Sequence, residues 1–74
     1  LTAADVRMRV LRKLSVCRGQ RAYGVSLLDC LPDEPRTERR LHNVCVTLYR
    51  DGLIERQKGM YCLTAAGAQA SGMK

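Results

Sequence analysis

Arg39, Asn43, Thr47 and Arg50 recur at steps of four, four and three, a spacing that gathers them on one side of a helix. Each carries a group that matches a base edge in duplex DNA. The planar Arg fork fits guanine O6 and N7, Asn fits adenine N6 and N7, and the Thr methyl can touch the thymine methyl. Arg36 and Arg40 lie near the start of the same segment, where the positive end of a helix and its unpaired N–H groups favour phosphate oxygens. Arg56, Gln57 and Lys58 form a second polar and basic cluster a short way downstream. A solvated helix face carries the same residue types, so the elements that position these side chains decide what they do.

The chain has 74 residues, 13 of them Lys or Arg against 7 Asp or Glu, for a formal net charge of +6. That is one small domain, able to bury about 60 % of the surface its unfolded chain exposes. A deep, walled catalytic pocket is not expected at this size. No activated nucleophile, paired carboxylates or phosphate-cradling Gly loop stands out either, so the chain reads as a non-enzyme without a cofactor. The bases are grouped. Six of them fall between Arg7 and Arg21 without an acid, and Arg36, Arg39, Arg40, Arg50, Arg56 and Lys58 form a second set diluted by Glu38, Asp51 and Glu55. Asp29, Asp33 and Glu34 make an acidic stretch between them. A basic surface of this kind attracts polyanions through counterion release. The longest apolar run, Met60 to Leu63, is far too short for a membrane span, and no signal peptide is visible, so a cytoplasmic protein is expected.

Cys17, Cys30, Cys45 and Cys62 stand 13, 15 and 17 residues apart, without a close pair and with His42 as the one histidine. This spacing argues against a metal site, and nothing points to the oxidising compartment that disulfides need. The cysteines are expected to be reduced thiols at apolar positions of the core.

Ala3, Val6, Val10, Leu14 and Cys17 line one face of a first helix, with Thr2 and Asp5 resembling a capping box and Gly19 marking the end. Met8 falls off this face, compatible with an incidental surface residue or with a contact to a second copy of the chain. After a short connection over residues 20–23, Leu27, Leu28 and Leu31 mark a short second helix, stopped by the Pro32-Asp33-Glu34-Pro35 stretch. Thr37 can cap a third helix running to about Asp51, with Leu41, Val44, Cys45 and Leu48 as its buried stripe and Gly52 as its left-handed stop. Arg39, Asn43, Val46 and Arg50 fall on the opposite side, with Thr47 beside them. Period-two alternation over residues 53–64 predicts a hairpin turning at Lys58-Gly59, with Ile54 facing Leu63 and Arg56 facing Tyr61. The Ala-, Gly- and Ser-rich segment 65–74 is too poor in large apolar groups to pack much, though Thr64 can cap a short terminal helix.

Three helices followed by a two-stranded hairpin define an α+β winged helix-turn-helix. The run Leu48-Tyr49-Arg50-Asp51-Gly52-Leu53-Ile54-Glu55-Arg56, followed by Tyr61-Cys62-Leu63-Thr64-Ala65-Ala66-Gly67, resembles the L-x-x-x-G-L-I and Y-x-L-T-x-x-G signature of PadR-like and MarR-like transcription regulators. Ala22-Tyr23-Gly24 is similar to the opening of helix 2 in the PadR-like group. The resemblance implies a winged-helix domain over residues 1–67 with a flexible tail over 68–74. It further implies double-stranded DNA as partner and a small transcription regulator of prokaryotic or mobile-element origin. On this reading Arg39, Asn43, Thr47 and Arg50 face the major groove, Arg36 and Arg40 take phosphates, and Arg56, Gln57 and Lys58 form the wing contact. A homodimer stays open. The alternative is a winged helix used for protein–protein contact within a larger assembly, since the fold does not fix the function.

Overall fold

The computed structural model describes residues 3–31 and 38–72. The proposed caps Thr2 and Thr37 and the phosphate candidate Arg36 lie outside them. Helix α1 spans Ala3–Val16. Val6, Val10 and Leu14 are all buried as the stripe requires, joined by Leu11. The helix ends where Cys17 turns extended and Gly19 and Gln20 take positive φ.

Helix α2 spans Glu38–Arg50, with Leu41, Cys45 and Leu48 buried and Val44 packed against them. Full burial of Leu14 and Leu48 stabilises the fold by about 1.5–3 kcal/mol each. The stop of α2 has a stated chemistry. Gly52 sits at φ +76, its N–H donates to the Tyr49 carbonyl at 3.0 Å, and the Leu53 N–H donates to the Leu48 carbonyl at 3.0 Å. These paired bonds close a Schellman motif and swing the chain from α2 straight into a strand.

Strands β2 (Ile54–Gln57) and β3 (Met60–Leu63) pair antiparallel with Ile54 opposite Leu63 and Arg56 opposite Tyr61, the register that the alternation predicts. Lys58 and Gly59 both have positive φ, the signature of a two-residue type I′ turn. The sheet is three-stranded, however, rather than two-stranded. Arg21–Tyr23 forms β1 and pairs antiparallel with β3, giving the order β1-β3-β2. A strand of three residues has too little alternation to be seen in the sequence, and its partner lies far along the chain. The short second helix is also a different element: residues Gly24–Cys30 wind as a tight 3-10 helix, with Leu27 and Cys30 buried.

Within the segment read above as unable to pack much, residues 65–72 are described and pack closely. Thr64 caps helix α3 (Ala65–Ala70), Gly67 is buried in it, and Ser71 just beyond is buried with its hydroxyl donating to the Ala68 carbonyl. The packing uses small residues rather than large ones, allowing close backbone approach. The Thr64 hydroxyl accepts from the Gly67 N–H at 3.0 Å and donates to the Gly52 carbonyl at 2.7 Å, tying α3 to the end of α2. Thr64→Val keeps the shape and removes both bonds, so it should lower stability by about 1–2 kcal/mol in urea denaturation, with Thr64→Ser nearly neutral. Equal stability of the Val variant would show that this hydroxyl ties nothing together.

The four cysteines are free thiols, with Cys30 and Cys45 buried and Cys17 and Cys62 half-buried. Burial pushes the Cys45 thiol up to about 11; the nearby Cys30 adds to this and a hydrogen bond with Tyr61 works against it. Cys45 therefore stays protonated at neutral pH and behaves as a small core residue.

Candidate nucleic-acid interface

Helix α2, at 13 residues, is about 20 Å long, enough to lie in a duplex groove about 12 Å wide. Because Leu41, Cys45 and Leu48 face the core, the helical repeat turns Arg39, Asn43, Val46 and Arg50 to the opposite side. Arg39, Asn43 and Arg50 are exposed there and Val46 is 39 % exposed. His42 and Tyr49 flank this face toward the hairpin, while Arg40 and Thr47 flank it on the other side, both half-buried. The Thr47 hydroxyl donates to the Val44 carbonyl at 2.7 Å, so its polar group is engaged within α2.

The hairpin supplies the facing wall. Ala22, Tyr61 and Arg56 lie side by side across the three strands, on the sheet face that buries Ala22 and Ile54. Arg56 thus leans toward α2, with its guanidinium carbon 5.8 Å from the centre of the Tyr61 ring, within reach of a cation–π attraction. His42, Cys45, Val46, Tyr49, Arg56 and Tyr61 line a cleft between α2 and the hairpin. Burial raises the Tyr61 hydroxyl above its usual range, Cys45 adding to the rise and Arg56 opposing it, so the ring is neutral at physiological pH. Gln57 falls on the other sheet face, and Lys58 stands exposed at the turn. Arg39, Asn43 and Arg50 thus share the outward face of α2, Arg56 lines the cleft beside that face, and Gln57 is set apart from both.

Asp51, next to Arg50, is held by Arg7 of α1 at 2.6 Å. A partly exposed pair of this kind contributes only about 0–1 kcal/mol to stability, but it removes an unpaired negative charge from beside the α2 face. It also engages Arg7 within the fold. Glu38 lines a neighbouring pocket with His42, Arg56, Gly59 and Tyr61.

His42, Val46 and Tyr49 belong to this surface although the sequence reading did not select them. Tyr49 is 60 % exposed. The signal was present in the helical repeat, which puts His42 and Tyr49 seven residues apart on one flank. Among the described residues, no helix is long and apolar enough to cross a membrane, and no cluster of three or more His, Cys, Asp or Glu is placed to hold a metal ion. No family profile, curated protein or solved structure matches this chain.

Proposed function

We propose that the chain is a winged helix-turn-helix module that binds double-stranded DNA and acts as a small transcription regulator. Helix α2 enters the major groove and the β2–β3 hairpin contacts the flanking backbone as a wing. The observation that carries this reading is the exposed Arg39, Asn43 and Arg50 on one face of α2, beside a cleft lined by His42, Val46 and Tyr49 of α2 and by Arg56 of the hairpin. The β1-β3-β2 sheet supports it by fixing the hairpin against α2 as a rigid arm.

One observation favours a second reading. Val46 in the middle of the same face and Tyr49 on its flank place apolar surface there, which suits a winged helix that docks on a protein. Fluorescence titration of a duplex enriched from a random pool separates the two. Asn43→Ala should cost about 1–3 kcal/mol on the preferred duplex and flatten its preference over random DNA, whereas Lys58→Ala should weaken all duplexes alike. Failure to enrich any duplex favours the protein-docking reading, and equal, sequence-independent losses for both variants would mean that α2 is not the reader.

A further inference from the structure

We infer that Val46 is the thymine-reading residue of α2, recognising the C5-methyl group of the base in the major groove. This rests on the DNA-binding reading above. Val46 stands at the middle of the outward face, with Asn43 one turn before it and Arg50 one turn after. Those two side chains offer hydrogen bonds, whereas Val46 offers only two methyl groups. The thymine methyl is the one apolar group that the four bases present in the major groove, so an apolar side chain between hydrogen-bonding ones matches it and no other base edge.

Thr47, the residue that sequence reasoning offers for this contact, is poorly placed for it. It lies half-buried on the flank away from the hairpin, and its hydroxyl is bonded back to the Val44 carbonyl at 2.7 Å, which fixes the side chain along the helix. Val46 is 39 % exposed with a single stiff rotamer typical of β-branched residues in helices, so it reaches the groove already ordered. Tyr49, three residues on and 60 % exposed, stands beside it on the cleft side and shields a methyl–methyl contact from water once DNA is bound.

The test uses the whole chain and a duplex enriched from a random pool. Each thymine of that duplex is replaced in turn by deoxyuridine, which lacks only the methyl group. For the unmodified protein at least one replacement should weaken binding about three- to fivefold, the effect of losing one buried methyl. Val46→Ala should bind the thymine and deoxyuridine forms at that position equally, while Thr47→Ala and Asn43→Ala should keep the step. Val46→Thr, which preserves one methyl, guards against a fold defect and should keep part of it. The inference is overturned if no deoxyuridine duplex binds more weakly, or if Val46→Ala keeps the full step while Thr47→Ala loses it. A chain that enriches no duplex overturns the DNA-binding reading itself, and this inference with it.

Discussion

Gly67→Ala should lower the unfolding free energy by about 2–3 kcal/mol, although the same change in the middle of an exposed helix would stabilise it by up to about 1 kcal/mol. The reversal follows from what a Cβ would meet. It would overlap the Leu53 carbonyl oxygen, and it would stand 2.7 Å from Leu63 Cδ1 and 3.0 Å from the Leu53 carbonyl carbon. The Leu63 side chain can move aside, but the carbonyl cannot. It accepts the Thr64 N–H at 3.1 Å, and the Leu53 N–H on the same residue closes the stop of α2. Moving α3 away therefore breaks the junction that aims the hairpin. A chain of 74 residues has roughly 4–11 kcal/mol of stability in total, so the loss is a large share of it. Gly72, at φ +81 with open space where a Cβ would stand, is the control. Its Ala variant should show only the milder strain of a left-handed residue, about 1 kcal/mol. Urea denaturation followed by circular dichroism measures both, and a Gly67→Ala midpoint at or above the unmodified protein's would contradict the packing of α3 against Leu53.

The second large effect concerns binding. Arg39→Ala/Arg50→Ala should lower affinity for the preferred duplex by about 2–5 kcal/mol, or roughly 30-fold to a few thousand-fold, because each Arg fork that reads a guanine contributes about 1–3 kcal/mol of discrimination. Both residues are exposed on the outward face of α2, so folding should change little. Arg50 lies in the last turn, where its charge favours the helix dipole by about 0.3–1 kcal/mol, and a melting curve of the variant accounts for that part. Loss concentrated on the preferred duplex identifies base readers, and an equal loss on all duplexes identifies phosphate contacts. Binding within about twofold of the unmodified protein would remove α2 from the interface.

Those two variants act on parts of the molecule that were unequally visible in the sequence. The hairpin register was legible because Ile54 and Leu63 mark one face and Lys58-Gly59 fixes the turn, so that one residue of slip would expose Ile54. The stripes of α1 and α2 were legible for the same reason of period. β1 was not, because Arg21–Tyr23 is defined by its pairing with a strand nearly forty residues away. Gly67 had no visible purpose in the sequence, since only the three-dimensional approach of Leu53 explains it. At the candidate site, spacing grouped Arg39, Asn43, Thr47 and Arg50, and the structure has the first two and Arg50 exposed on one face with Thr47 half-buried beside them. The helical repeat puts Thr47 on the flank, and its hydroxyl bonds to its own helix, an option that a free threonine side chain always has. The pair Arg7 and Asp51, 44 residues apart, left no trace in sequence.

The measurement that bears most directly on DNA binding is the salt dependence of affinity. Arg36, Arg39, Arg40, Arg50, Arg56 and Lys58 are the bases of α2, of the sequence just before it and of the hairpin, and on the proposed reading one or two of them read base edges rather than phosphates. Arg7 is held by Asp51. With about four to five phosphates neutralised per chain, log K against log salt should fall with a slope of roughly −4, from about 0.9 per contact. Fluorescence titration of several duplexes from low to physiological salt gives this slope. Arg39→Ala/Arg50→Ala should reduce its magnitude by about 1 to 2 if those side chains touch phosphate as well as bases, and specific binding should survive at physiological salt for the unmodified protein. A shallow slope, with binding absent at physiological salt on every duplex and the variant indistinguishable from the unmodified chain, would contradict DNA recognition through α2.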